Sequence, residues 1–113
     1  MNIEKLREHC ISKKGVEETF PFDGDTLVFK VKGKMFCLTG LNEPENCNLK
    51  CDPEKAIELR QQHRAVQPGY HMNKNHWNTI HYNQDISDPD ILNLVDHSYE
   101  LVVKGLPKSC SRS

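Results

Sequence analysis

Two β-rich runs flank one tight turn, and that arrangement restricts the fold more than any other stretch of the chain. Thr26-Leu27-Val28-Phe29-Lys30-Val31 and Lys34-Met35-Phe36-Cys37-Leu38-Thr39 are separated only by Lys32-Gly33. Two linking residues ending in glycine predict an antiparallel hairpin. Leu27, Phe29 and Val31 fall on one face of the first strand, so one side of the sheet needs a cover of apolar side chains.

The cover is legible on either side of that unit. Residues 2–14 read as a helix: Asn2 can cap it, Ile3, Leu6, Cys10 and Ile11 form a stripe, and Gly15 is a natural stop. Residues 16–22 alternate as a strand that Pro21 pushes to an edge or an end. After a loop through residues 42–46, a short strand is predicted near residues 48–51. Asp52-Pro53-Glu54 supplies an N-cap, a first-turn proline and an acid suited to the helix dipole, so a second helix covers residues 53–63. Pro68-Gly69 breaks the chain. Residues 70–72 and 76–82 then read as strands joined by Asn73-Lys74-Asn75.

Asp88-Pro89-Asp90 opens a third helix in the same manner. Ile91, Leu92, Leu94, Val95, Tyr99, Val102 and Val103 keep helical spacing until Gly105. Residues 106–113 are expected to fray as a flexible tail. The order of elements predicts one α+β domain over residues 1–105, an antiparallel sheet with helices packed on one face.

Composition bounds the function. Of 113 residues 36% are hydrophobic, and the mean hydropathy of −0.70 describes a modest interior with no apolar run near the roughly 20 residues that span a bilayer. Asn2-Ile3-Glu4-Lys5-Leu6-Arg7 is charged and unlike a secretory leader, so the expectation is a cytoplasmic protein away from membranes. The five cysteines are odd in number and irregular in spacing, which predicts reduced thiols. A net charge of −1 leaves nucleic-acid binding only to a local basic patch.

The least regular stretch is Gly69-Tyr70-His71-Met72-Asn73-Lys74-Asn75-His76-Trp77-Asn78-Thr79. Two aromatics, two histidines, three asparagines and a lysine within eleven residues suit either recognition or a polar framework beneath a surface.

With these motifs in place, the chain resembles the MmcQ/YjbR family of small bacterial proteins labelled DNA-binding. The resemblance runs from Gly15-Val16-Glu17-Glu18-Thr19-Phe20-Pro21-Phe22 through Val28-Phe29-Lys30-Val31-Lys32-Gly33-Lys34-Met35-Phe36. It continues in Leu49-Lys50-Cys51-Asp52-Pro53-Glu54, Pro68-Gly69-Tyr70-His71-Met72-Asn73-Lys74 and His76-Trp77-Asn78-Thr79, and ends with Asp96-His97-Ser98-Tyr99-Glu100-Leu101-Val102. It implies an α+β fold similar to frataxin (CyaY-like) with a double-wing motif. The natural wings are the hairpin at Lys32-Gly33 and the one around Asn73-Lys74-Asn75.

Five readings follow from the residues. A DNA-binding surface would draw on Lys30, Lys32, Lys34 and Lys74, with Asn73, Asn75 and His76 adding hydrogen bonds and Trp77 or Tyr70 stacking. Lysines also protect exposed hairpins from edge pairing without any partner. The alternative is an adaptor for a protein or small ligand, with Tyr70, His71 and Trp77 as its contact surface. On a structural reading, Trp77 is half-buried or buried, and Asn78, His97 and Tyr99 form hydrogen bonds beneath the sheet.

Metal and catalytic readings have less to stand on. Cys47 and Cys51 with His63, or His71, His76 and His81, lack the paired short spacings of zinc sites. Glu4 and Glu8 are mixed with Lys5, Arg7, Lys13 and Lys14, so helix one carries no acidic ridge for iron. No phosphate loop, nucleophile elbow or HExxH sequence is present, and His71, His76, Asp96 and His97 would need a shared cleft. Cys37 and Cys51 read as small buried hydrophobes. The expectation is a monomeric, non-enzymatic module without metal or other cofactor.

Overall fold

The computed structural model describes residues 1–20, 24–42, 45–69 and 73–105. Its elements run α1 (Ile3–Ile11), β1 (Val16–Thr19), β2 (Thr26–Val31), β3 (Lys34–Gly40), β4 (Asn46–Lys50), α2 (Pro53–Gln62), β5 (Val66–Pro68), β6 (Trp77–His81) and α3 (Asp88–Lys104). The six strands form one antiparallel sheet in the order β1-β2-β3-β4-β6-β5.

The β2–β3 turn is the predicted one. Lys32 and Gly33 both take positive φ, 52° and 79°, the pairing that matches the twist of the flanking strands. Leu27, Phe29 and Val31 point to the helix-covered side and join one core with Leu6, Cys10, Cys47, Leu49, Ile80, Ile91 and Val95. A bulge interrupts β3, because Phe29 pairs with Cys37 while Lys30 pairs with Met35. Phe36 is the extra residue. It is fully buried and meets the Tyr99 ring edge-on at 5.4 Å between centroids.

The bulge also shortens the β3–β4 ladder to Cys37↔Leu49 and Leu38↔Asn48. Beyond it, α3 inserts a side chain. The buried Ser98 hydroxyl accepts from the Lys50 N–H at 2.9 Å and donates to the Phe36 carbonyl. A serine thereby completes a sheet contact that the backbone cannot make.

Helix ends follow local chemistry. Asn2 and Asp52 cap α1 and α2 through their side chains, as expected. Helix α1 stops at Ile11 rather than residue 14, because Ser12 turns back to donate from Oγ to the His9 carbonyl. Ser87 caps α3, so Asp88 lies inside the helix instead of capping it. Helices α1 and α3 pack on one sheet face. Helix α2 sits on the same side, where Leu59 meets the core and Ala56 is fully buried.

One expected strand ends earlier, one strand was missed, and other expected segments lie outside the described residues. Strand β1 ends at Thr19 among the described residues, and the remainder of the expected strand, 21–22, lies outside them. The expected strand at 70–72 and the tail at 106–113 also lie outside them. Besides β4, β6 pairs with β5, Val66–Pro68, which the sequence reading missed. Proline there is compatible with the sheet because β5 is an edge strand.

Candidate functional site

Strand register decides where the two hairpins stand. The β2–β3 turn, the end of β4 at Lys50 and the start of β6 at Trp77 all fall at one end of the sheet, since Lys50 pairs with Trp77 and Leu49 with Cys37. The Asn73–His76 turn precedes Trp77, so it shares that end with Lys32-Gly33. Two to three strand spacings separate the turns, roughly 10–14 Å.

The face away from the helices carries Lys30, Met35, Lys50 and Trp77 across this end. Lys30 and Lys50 are half-buried, while Lys32, Lys34, Lys74, Asn75 and His76 are exposed. Glu17 pairs with Lys30 and brings a carboxylate to the edge of the same face. The lysines named from sequence are therefore gathered, and Lys50 is a fifth that sequence reasoning passed over. Period-two alternation with Asn48 was the signal that pointed to it.

The second turn is built rather than loose. Asn73 Oδ1 accepts from the Asn75 N–H at 2.9 Å, and its carbonyl accepts from the His76 N–H at 3.1 Å. Asn73 thus braces its own turn through Oδ1 and its carbonyl. Behind it, the Arg60 guanidinium at the end of α2 donates from Nε to Asn78 Oδ1 at 2.7 Å and from its terminal nitrogen to the carbonyls of Lys74 and Trp77. Asn78 is buried and donates in turn to the Ala56 carbonyl. No sequence signal marked Arg60 for this role.

Trp77 is only 8% exposed and packs with Val28 and Leu38, with Met35 alongside. This removes it as a stacking platform or contact residue and agrees with the burial reading. Tyr70 and His71 lie outside the described residues. His97 and Tyr99 are both hydrogen-bonded, but in exposed bonds between α3 and loop backbone instead of beneath the sheet: His97 Nε2 accepts from the Asp52 N–H at 3.2 Å and the Tyr99 hydroxyl donates to the Lys14 carbonyl at 2.6 Å. Burial, followed by the charge of Lys55, holds His97 below its ordinary pKa.

The other chemical groups are dispersed or sealed. Asp96 lies 2.7 Å from His9 Nε2 and pairs with Lys13, whereas His97 bonds the Asp52 N–H. Cys10, Cys37, Cys47 and Cys51 are free thiols in the interior. Hydrogen bonding with the Cys10 and Cys47 thiols, together with burial, pushes Cys37 well up, and burial raises Cys51 to about 11. Neither presents a thiolate at neutral pH. Among the described residues no group of three or more His, Cys, Asp or Glu gathers to hold a metal ion, and no helix is long and apolar enough to cross a membrane.

Fold and site together define a small α+β protein whose six-stranded antiparallel sheet carries three helices on one face and a lysine-rich end on the other. The chain belongs to the YjbR family, whose model matches residues 11–101. It is 38% identical over 111 residues to the uncharacterized protein YjbR of Escherichia coli K12, covering 96% of this chain and 92% of that one. Uncharacterized YyaQ of Bacillus subtilis is 36% identical over 75 residues, 66% of this chain and 63% of its own. The crystal structure of Deinococcus radiodurans protein DR2400 superposes with a TM-score of 0.91 at 40% identity, over 97% of this chain and 85% of that one. A Pseudomonas syringae protein superposes with a TM-score of 0.75 at 26% identity, over 90% and 99% of the two chains.

Proposed function

We propose that this protein is a non-enzymatic DNA-binding module that grips the duplex backbone with two β-wings. The observation that carries the reading is the shared placement of both turns at one sheet end, with Lys30, Lys32, Lys34, Lys50 and Lys74 around them. The gap of roughly 10–14 Å between turns is comparable with the B-DNA major groove, about 12 Å wide. Lysine contacts to phosphate supply affinity without reading sequence, and Asn75 and His76 at the second tip are the exposed hydrogen-bonding groups. Asn73 is exposed as well: its Oδ1 braces the wing, and its amide nitrogen is the donor it brings to this reading.

The double wing and the frataxin-like shape implied by the resemblance belong to this reading, as does a monomer of the cytoplasm. Interior free thiols suit a reducing compartment. The adaptor alternative loses its central contact, because Trp77 is buried.

Fluorescence anisotropy with random duplex and single-stranded oligonucleotides, titrated in salt, tests the proposal. Five lysines set an upper slope of about −4.5 in log K against log salt on duplex DNA. Replacing Lys30, Lys32, Lys34 and Lys74 by Gln leaves Lys50 and reduces the slope to about −1. Absence of binding at low salt, or affinity that survives the quadruple replacement, refutes it.

A further inference from the structure

Arg60 is a basic side chain in contact with the second wing, and a charge-based reading would count it among the phosphate contacts. Its hydrogen bonds assign it elsewhere. Nε is held by Asn78 Oδ1 at 2.7 Å, and one terminal nitrogen is shared between the Lys74 and Trp77 carbonyls. Those acceptors bracket the turn: Lys74 is at its tip, Trp77 begins β6, and Asn78 is anchored through Ala56 to α2.

We infer that Arg60 is a positioning residue that latches the second wing to α2 and sets its angle on the sheet, without contacting the ligand. The need for a latch follows from the topology. The partner strand β5 ends at Pro68, and Gly69 donates to the Trp77 carbonyl at 2.9 Å as the last described bond before the turn. Beyond it, the Asn73–His76 turn has its own two local bonds and one to the residue after β4, from the Cys51 N–H to the His76 carbonyl at 2.7 Å. A planar guanidinium can satisfy several carbonyl-type acceptors in one plane, which a lysine ammonium on a flexible stem does less well. The charge also lies in the last turn of α2, where the helix dipole favours a cation. Pre-ordering the wing removes an entropic cost from any later binding event.

The latch itself stands on the hydrogen bonds; its effect on DNA rests on the function proposed above. Two measurements separate them. Amide hydrogen exchange on the free full-length protein compares wild type with Arg60→Gln and Arg60→Lys. The expected result is faster exchange at Asn75, His76 and Gly69, by roughly ten- to hundredfold relative to core amides of α3 such as Val95, in Arg60→Gln. Arg60→Lys restores part of that protection. Equal protection of these amides in all three proteins, normalised to Val95, overturns the latch whether or not DNA is bound.

Duplex titration is the second arm. With Arg60 as a positioning residue, Arg60→Gln weakens binding while the salt slope stays at its wild-type value, and Arg60→Lys recovers part of the affinity. A slope reduced by about 0.9 identifies Arg60 as a phosphate contact and overturns the assignment. Failure of the wild type to bind DNA defeats the proposed function alone, and the exchange result still decides the latch.

Discussion

Removing the Ser98 hydroxyl should cost far more than one ordinary side-chain hydrogen bond. Ser98 is fully buried and bridges two strands, accepting from the Lys50 N–H at 2.9 Å and donating to the Phe36 carbonyl. Ser98→Ala leaves a backbone donor and a backbone acceptor without this partner. At about 1–3 kcal/mol for each orphaned group, the sum is roughly 2–6 kcal/mol. A carbonyl with a second lone pair tolerates loss better than an N–H, and Lys50 is half-buried, so the lower part of that range, about 2–3 kcal/mol, is expected. Urea unfolding followed by circular dichroism should show a lower midpoint with an unchanged slope. The thermal midpoint should fall by roughly 10 °C or more. A loss under about 0.5 kcal/mol would mean that water or a relaxed backbone replaces the serine, and would refute its role in the ladder.

Four other outcomes follow from the geometry. Gly69→Ala would place a Cβ 2.9 Å from Trp77 Cβ and 3.1 Å from its carbonyl oxygen, and should destabilise by about 1–3 kcal/mol in urea unfolding. His97 has a depressed folded pKa, so the unfolded state takes up the proton first as pH falls. The stability it contributes is fully present above its unfolded value near 6.5 and declines below it toward the lower folded value, and His97→Gln should flatten this step in pH-dependent melts. Asp85 is held below the ordinary carboxylate range by the backbone N–H groups of Ala65 and Arg64. Its contribution is present above pH about 4 and lost on further acidification, an acid step that Asp85→Asn should reduce. Lys50→Gln alone should lower the DNA salt slope by about 0.9, and no change would exclude Lys50 from the interface.

Much of this fold was legible because local rules and global packing agree. The Lys32-Gly33 turn, the Asn2 and Asp52 caps and the apolar stripe of α3 are each specified within a few residues. Their order implied an antiparallel sheet covered on one face. Strand β5 was not legible, since Val66-Gln67-Pro68 is too short for a period to show and its proline is permitted only by an edge position that pairing decides. The lysines of the first hairpin could be named from their spacing alone.

What gathered them was tertiary. Register across β3, β4 and β6 brings two turns, separated by about forty residues of chain, to the same sheet end, because the period-two pleat fixes facing only after strands have paired. The same pairing buried Trp77, which an exposed loop would have offered to a ligand, and it turned Arg60 from a surface cation into a bracket for the second wing. The sequence by itself determined the elements, their caps and the side chains that need burial. Only the tertiary structure decided which polar groups remain free, because a hydrogen-bond partner distant in the chain has no local signature.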